Sequence, residues 1–393
     1  MIDQKNKINN KIVPLIFTDF YPSQSHSHEG LCVHEQIPHL PGSENALVLA
    51  PSIKYPPFPR YRYVRSHRPE SGWQNCEKNV FRIPGYYFPV FGEKFLVKKI
   101  IVDSLALLQW RGNDFDIIHA NWAYRSGYIA SQVSEYLNIP LILTIWGSDI
   151  DIWIHEKRKQ RYIFQALEKA YKIITQNKSH KEKLLQFGVP NDKIVINPMG
   201  IDTQIFTIKH AKKPNKNFTF AIIGNLFRDK GHQEVLQSLS MCNPDIRLVV
   251  IGDGPEMLRL VYETASYNLR DRVVFTGAKN PEEIPELLQK SDALIIGSRH
   301  EGGPKVLLEA LSCGKPVVAT KVGFASEIIH PECGKLVEIG DIFAMAKAMD
   351  YIAENQWDAQ KIRQTALPFD WQNFRLKMEK TYISVLGEHL TCA

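Results

Sequence analysis

The stretch SDALIIGSRHEGGPKVLLEALSCGKPVVAT, Ser291–Thr320, decides the fold. Ala293–Ile296 is an apolar run short enough for a buried strand. Gly302 and Gly303 open a loop in which backbone can approach a ligand with no Cβ in the way. Pro304 suits the first helical position, where a missing N–H costs nothing. Gly314 fits the residue just past the helix, and Pro316 keeps the helix from resuming before the next strand starts at Val317. Strand, glycine loop, helix and strand make the unit of a parallel sheet, which receives ligands at the carboxyl ends of its strands.

Two glutamates make this unit more than a scaffold. Glu301 sits in the loop, and Glu309 lies about 7–8 Å further along the helix axis than Pro304. Lys305 and Glu309 are four residues apart and share a face, with Ser312 near them. The free N–H groups of the first turn, at the positive end of the helix, suit a diphosphate. Lys305 opposes the helix dipole there, and an anion bound at the turn would remove the misfit. An ordinary surface helix with a Lys–Glu pair accounts for the spacing equally well.

The run EGGPKVLLEALSCGKPVVAT, from Glu301, resembles the signature of family 4 (group 1) glycosyltransferases, retaining enzymes of the GT-B fold. The resemblance implies an α/β protein of two Rossmann-like, doubly wound domains facing a central cleft. It also implies that Glu301 contacts hydroxyls of the donor sugar and belongs with the catalytic groups. Glu309 would hold the nucleotide ribose, and the loop of Gly302, Gly303, Pro304 and Lys305 would meet the diphosphate. Lys305 departs from the small or amide residue common at its position.

Composition is consistent with two or three domains. The chain has 393 residues, 44% hydrophobic and 23% charged, ordinary for a soluble protein. A net charge of +6 suits anionic substrates or the anionic face of a membrane and argues only weakly for nucleic acid. Six scattered cysteines without a Cys-x-x-Cys pair read as reduced thiols of a cytoplasmic protein. Met1–Asn10 lacks the apolar core of a signal peptide, and no run of about eighteen apolar residues spans a membrane.

The N-terminal half repeats the alternation. A strand is expected over 12–17, a glycine loop at Gly30, a helix with Val33, Ile37 and Leu40, and a second strand over 46–50. In the family this first loop faces the cleft, and Gly30 is carried over as a binding residue. His26, His28 and His34 make a poor zinc set, having no carboxylate constellation beside them. Residues 54–111 break the alternation. They are read as an acceptor-side loop followed by a core helix over 93–110. The other reading is an interfacial patch, with Lys94, Lys98 and Lys99 set on anionic lipid; the basic cluster is short for that. Arginine and aromatics here also occur in single-strand nucleic-acid binders, but no nucleic-acid fold accompanies them.

His119 lies near the end of a strand expected over 115–120, and a helix over 127–136 leads to a strand over 140–145. Trp146-Gly147-Ser148-Asp149 follows, where the family carries His-Gly-x-Asp beside the donor sugar. Trp146 replaces the histidine and removes a candidate proton carrier. Asp149 matches and is grouped with the catalytic residues, with a helix N-cap as the plainer alternative. Trp146 and His119 are carried as substrate-side residues.

The run KIVINPMGIDTQIF, from Lys193, resembles the family's crossover segment, with Gly200, Asp202 and Phe206 matching. Gly200 is therefore expected to line the cleft. The polar run 209–217 reads as a linker. Phe218–Ile223 is a strand ending at Gly224, followed by Asn225 and then Lys230-Gly231. The family has arginine directly after that glycine. Here Asn225 takes the position, and Arg228 stands in from the same loop. Arg228 and Lys230 would offset charge gathering on the departing diphosphate, unless they are plain surface cations. Gly277 opens the expected base pocket. A C-terminal helix begins near Trp371 and returns to the first domain. The expected domains are 1–199 with 366–393, and 200–365.

The resulting expectation is a retaining, metal-independent hexosyltransferase without cofactor. It would use a UDP- or GDP-sugar and a polysaccharide or lipid-linked glycan acceptor. It would be cytoplasmic, with room for peripheral contact at the inner membrane face, and no nucleic-acid partner is expected. Rival readings are a GT-B nucleotide-sugar epimerase, a pyridoxal-dependent phosphorylase, and a non-catalytic nucleotide-sugar binder.

Overall fold

Long apolar strand runs with no polar alternation call for a sheet covered on both faces. The computed structural model describes residues 12–22, 30–55, 75–77, 79–87, 92–112, 114–209, 217–300, 303 and 305–392. The chain divides into two compact units. Unit 1 is Met1–Gln176, His180–Asn197 and Phe374–Ala393; unit 2 is Asn177–Ser179 and Pro198–Asn373.

Unit 1 holds β1 (Pro14–Thr18), β2 (Leu47–Lys54), β3 (Asn75–Glu77), β4 (Val80–Tyr86), β5 (Ile117–Asn121), β6 (Leu141–Thr144), β7 (Lys172–Thr175) and β8 (Ile194–Ile196). They lie in the order β3-β4-β2-β1-β5-β6-β7-β8. All neighbours are parallel except β3 on β4. Every residue of β1, β5 and β6 is buried. Helix Gly92–Arg111 buries Leu96, Val97, Ile100, Leu107 and Leu108, the three-and-four spacing of a core-facing stripe. Helix Trp371–Cys392 reaches the same unit. Its Tyr382 is fully buried, and its His389 bonds Tyr171 Oη and the carbonyl of Asn138, both at 3.0 Å.

Strand β4 falls in the stretch read from sequence as irregular loop. Arg82, Pro84 and Gly85 interrupt its apolar pattern. It nevertheless pairs with β2 from Val48↔Val80 to Lys54↔Tyr86. The obstacle was Arg82, which is buried; its Nη2 donates to the carbonyls of Tyr21, at 3.1 Å, and Pro22. A partner sixty residues away in sequence makes the charge tolerable inside the sheet.

Unit 2 holds β9 (Phe218–Ile223), β10 (Ile246–Ile251), β11 (Val273–Gly277), β12 (Ala293–Ile296), β13 (Val317–Thr320) and β14 (Gly334–Val337), in the order β11-β10-β9-β12-β13-β14 and parallel throughout. Successive strand residues go to opposite faces. Phe220, Ile222, Leu248, Val250, Ile295 and Val318 join a core with Val235, Leu236, Met345 and Met349 from helices His232–Met241 and Ile342–Glu354. Ala221, Leu294, Ile296, Val317 and Ala319 join the other core, with Leu307, Leu308 and Leu311 of helix Lys305–Ser312 and Ile362 of helix Ala359–Ala366. The sheet is thus doubly wound. Residues 210–216 of the expected linker lie outside the described residues.

Unit 2 tolerates its central loops only because two of their residues are glycine. Gly231 has φ +67, and a Cβ there would come 1.9 Å from the Gly297 carbonyl oxygen. Gly231→Ala should therefore lose roughly 1–3 kcal/mol from backbone conformation alone, with the clash added. Urea unfolding of the intact chain measures it, and wild-type stability in the variant would refute the reading.

Candidate active site

In a parallel sheet, neighbouring loops diverge where the strand order reverses, and that is where ligands bind. In unit 2 the reversal lies between β9 and β12. The two loops are joined by Arg299 N, which donates to the Asp229 carbonyl at 2.7 Å, and by an ion pair of Arg299 with Glu234. Gly224 N donates to the Ile251 carbonyl and Gly252 N to the Gly277 carbonyl, at 3.0 and 2.9 Å. A Cβ on Gly252 would lie 1.9 Å from the Gly224 carbonyl oxygen. The ends of β9, β10 and β11 are thereby laced together. Among the described residues, nothing lies within 4 Å of the Cβ positions of Gly224 and Gly277.

On this edge Asn225 and Arg228 are exposed and Lys230 is half-buried. Arg228–Lys230 forms a short 3-10 turn that ends at Gly231. In helix Lys305–Ser312, Glu309 is 6% exposed, and Lys305 Nζ stands 3.0 Å from its Oε1. The expected Lys305–Glu309 face therefore exists, with the carboxylate mostly covered. Gly303 is exposed; Glu301, Gly302 and Pro304 lie outside the described residues. Ser312 looks elsewhere. Its hydroxyl bonds the Phe206 carbonyl, and Arg363 Nη1 donates to Phe206 O, at 2.8 Å, and to Ser312 Oγ, at 2.9 Å. Arg363 clamps the crossover segment to this helix, a role with no local signal in the sequence.

The reversal in unit 1 lies between β1 and β5. Asp19 follows β1, and the segment Trp122–Gly127 follows β5. Trp122 and Arg125 have φ values of 66° and 49°, conformations rare for side-chain-bearing residues. Arg125 Nε pairs with Glu93 Oε1 at 2.7 Å. Asp19 Oδ2 accepts from Ser126 N at 3.3 Å. Burial pushes the Asp19 carboxyl up to about 6, against the pull of Arg125. Asp19 and Asn121 were not singled out from sequence; a polar residue closing a buried strand is the signal that marks both.

Several expected site residues take structural positions. Asp149, grouped with the catalytic residues, is fully buried. Its oxygens accept from Ala123 N at 3.0 Å and Trp146 N at 2.9 Å, so it braces two loops. Burial pushes it up to about 7 in spite of both bonds. Trp146 Nε1 donates to Asn121 Oδ1 at 3.1 Å, and its ring lies 5.8 Å from that of Trp122. Indole is a donor only, so Trp146 cannot relay a proton. His119 is fully buried, with Nδ1 2.8 Å from Tyr382 Oη and Nε2 2.7 Å from Thr144 Oγ1. Both ring nitrogens are used within the protein, which removes His119 from substrate contact. Gly200 is a packing glycine, since a Cβ there would meet the Trp371 ring at 2.5 Å. Gly30 is another: at φ +66, its Cβ would overlap the Phe20 carbonyl oxygen at 2.1 Å. His26 and His28 lie outside the described residues.

Two α/β units with mainly parallel sheets, each with its loops gathered at a point of strand reversal, define a GT-B architecture. Anabaena HepE, solved in complex with UDP and glucose, has this fold. It aligns with 97% of this chain and 100% of its own at a TM-score of 0.66 and 21% identity. A family model described as "Glycosyl transferases group 1" matches residues 204–367, and one described as "Glycosyltransferase Family 4" matches 41–205. The chain belongs to this family of glycosyltransferases. Among its relatives, N-acetyl-alpha-D-glucosaminyl L-malate synthase of Bacillus anthracis is 26% identical, over 63% of this chain and 67% of its own length. The UDP-Gal:alpha-D-GlcNAc-diphosphoundecaprenol alpha-1,3-galactosyltransferase of Escherichia coli is 25% identical, over 62% of this chain and 67% of its own. The alignments span 58–67% of the length of the first curated relatives.

The His119 contacts carry a pH signature. Burial holds the imidazole down at about 3, below its ordinary 6.5. Between those values the unfolded chain binds a proton that the folded chain refuses. Stability is then complete above pH 6.5 and falls as pH drops, by up to about 1.4 kcal/mol per pH unit. His119→Gln should make that fall shallower in urea melts at pH 7, 5.5 and 4.5. Tyr382→Phe, which strands Nδ1, should lose about 1–3 kcal/mol at pH 7. An unaltered pH slope in the first variant would refute the assignment.

Proposed function

We propose that the chain is a retaining, metal-independent hexosyltransferase that takes its donor, a UDP- or GDP-sugar, on unit 2. Its acceptor would be a glycan or lipid-linked glycan carried on unit 1. One observation supports this most: the Arg299–Asp229 bond, which gathers the loop of Lys230 and the loop before helix Lys305–Ser312 at one reversal point. Anion-binding N–H groups, a lysine and a covered glutamate then share one sheet edge. In this reading Glu309 holds the ribose and Glu301 the donor sugar. Gly277 borders the base, and Arg228 and Lys230 offset the leaving diphosphate. These cations and the helix N-terminus make a metal unnecessary. The leaving phosphate itself helps take the acceptor proton, as a front-face transfer needs no protein nucleophile.

The nucleotide named with HepE and the UDP-galactose and diphosphoundecaprenol-linked acceptor named for the E. coli relative are in keeping with this donor and acceptor. No helix among the described residues is long and apolar enough to cross a membrane. Peripheral contact with an anionic bilayer at the cytoplasmic face fits helix Gly92–Arg111, where Phe95, Val102 and Trp110 are 48%, 56% and 79% exposed beside exposed Lys94 and Lys98. The donor-only Trp146 favours a second reading, a nucleotide-sugar binder without transfer. Nucleoside diphosphate release measured with and without glycan acceptors separates the two, and a changed sugar nucleotide formed without acceptor would identify an epimerase.

Glu309→Ala should weaken nucleotide-sugar binding about tenfold or more, the loss of a charged hydrogen bond. Calorimetric titration with UDP-, GDP- and ADP-glucose reads it, with melting temperature as the folding control. Donor affinity equal to wild type would remove Glu309 from the donor site.

A further inference from the structure

We propose that the outer edge of unit 2, made by strand β11 and helix Met257–Ser266, pairs with the same edge of a second copy of this chain. The two β11 strands join antiparallel into one continuous sheet. The proposal goes beyond the transferase reading and does not rest on it.

This edge lacks the protection that the others have. Among the described residues the two sheets end in β3, β8, β11 and β14. Strands β3 and β8 are three residues long, and β14 carries Lys335. Short strands and a lysine are means by which proteins keep an edge from pairing. Strand β11 has five residues, Val-Val-Phe-Thr-Gly, with neither charge nor proline. Its Val274 is 59% exposed. In a parallel ladder alternate residues bond the neighbouring strand. Arg272 bonds β10 through its carbonyl, which accepts from Leu248 N at 2.8 Å. The N–H and C=O of Phe275, three residues on, therefore turn outward, where no further strand lies among the described residues.

Helix Met257–Ser266, the crossover from β10 to β11, adds an apolar stripe on the solvent side. Its Leu260 and Thr264 are buried in the unit. Leu258, Val261 and Tyr262 are 85%, 47% and 75% exposed. With Ala265 they have the three-and-four spacing of one stripe, the pattern that ordinarily faces a packed neighbour. Arg259 lies on the other flank, where its Nη2 donates to Gln233 Oε1 of helix His232–Met241 at 2.6 Å. The stripe is thus turned away from that helix. Charge then chooses the partner. A two-fold axis through the sheet at Phe275 makes β11 its own antiparallel neighbour, and the two Phe275 residues exchange N–H and C=O. Phe275 packs on the core that holds Leu260, so both stripes fall on one face of the joined sheet. The segment before each strand meets the segment after the other. Exposed Arg270 stands on the first and exposed Glu282 on the second. Lys279 is held by Glu283 at 3.5 Å, which leaves Glu282 to answer Arg270. An anionic bilayer fits less well, because Glu256 and Glu263 beside the stripe face one cation, Arg259, which pairs with both at 3.1 Å.

Sedimentation velocity of the full chain at micromolar concentrations tests this. A concentration-dependent dimer of twice 45.0 kDa is expected. Leu258→Glu should weaken it roughly a hundredfold, since the change counts once in each half of a two-fold interface. Arg270→Glu should weaken it about threefold or more, and adding Glu282→Arg should restore it. These side chains are exposed in one copy, so melting temperatures at low concentration stay at the wild-type value and serve as the folding control. A chain that stays monomeric, a dimer indifferent to Leu258→Glu, or a charge swap that fails to restore Arg270→Glu would each overturn the pairing. So would a monomer that binds phosphatidylglycerol vesicles and loses them with Leu258→Glu, which would give the stripe to a lipid surface.

Discussion

The backbone contact of Gly231 with Gly297 is the constraint on which the candidate site of unit 2 depends. A side chain at residue 231 would need the space of the Gly297 carbonyl oxygen, 1.9 Å from the Cβ position. The close approach lets Arg299 N reach the Asp229 carbonyl, and that bond turns two loops from separate strands into one edge. Lys230, beside Gly231, inherits its position from this contact. The helix of Glu309 inherits its own from β12, which ends just before Gly297. Ligand-binding groups on loops are precise only when the loops are fixed to something rigid, and here they are fixed to each other.

Unit 1 meets the same problem with buried acids instead of glycines. Asp149 accepts one backbone N–H from each of two loops, and its carboxyl is pushed up to about 7 because burial outweighs those bonds. Asp19, just past β1, accepts one backbone N–H among the described residues, that of Ser126 at 3.3 Å. A half-buried ion pair, Arg125 with Glu93, holds a strained loop between them.

Much of this was legible in the chain itself. Glycine and proline at Gly302, Gly303, Pro304, Gly314 and Pro316 punctuate one βα unit. Apolar runs such as those of β6, β9 and β12 are too short for helices and too uniform for half-exposed strands. Those signals are local, so they specify the two doubly wound sheets and the pairing of Lys305 with Glu309. Strand β4 escaped because Arg82 breaks its pattern, and the carbonyls that satisfy Arg82 belong to residues 21 and 22.

The sequence by itself determined the alternation of strands and helices, the family, and which loops carry glycine. Tertiary structure alone decided what the polar residues on those loops do. His119 carries the same imidazole whether it faces a substrate or a core. It became a core residue because Tyr382, 263 positions away, takes one of its nitrogens and Thr144 the other. Asp149 is a second case, its two oxygens taken by the backbone N–H groups of Ala123 and Trp146. A backbone conformation is set largely by its own residues, whereas the role of a polar group is set by whichever partner the fold brings to it, or leaves out.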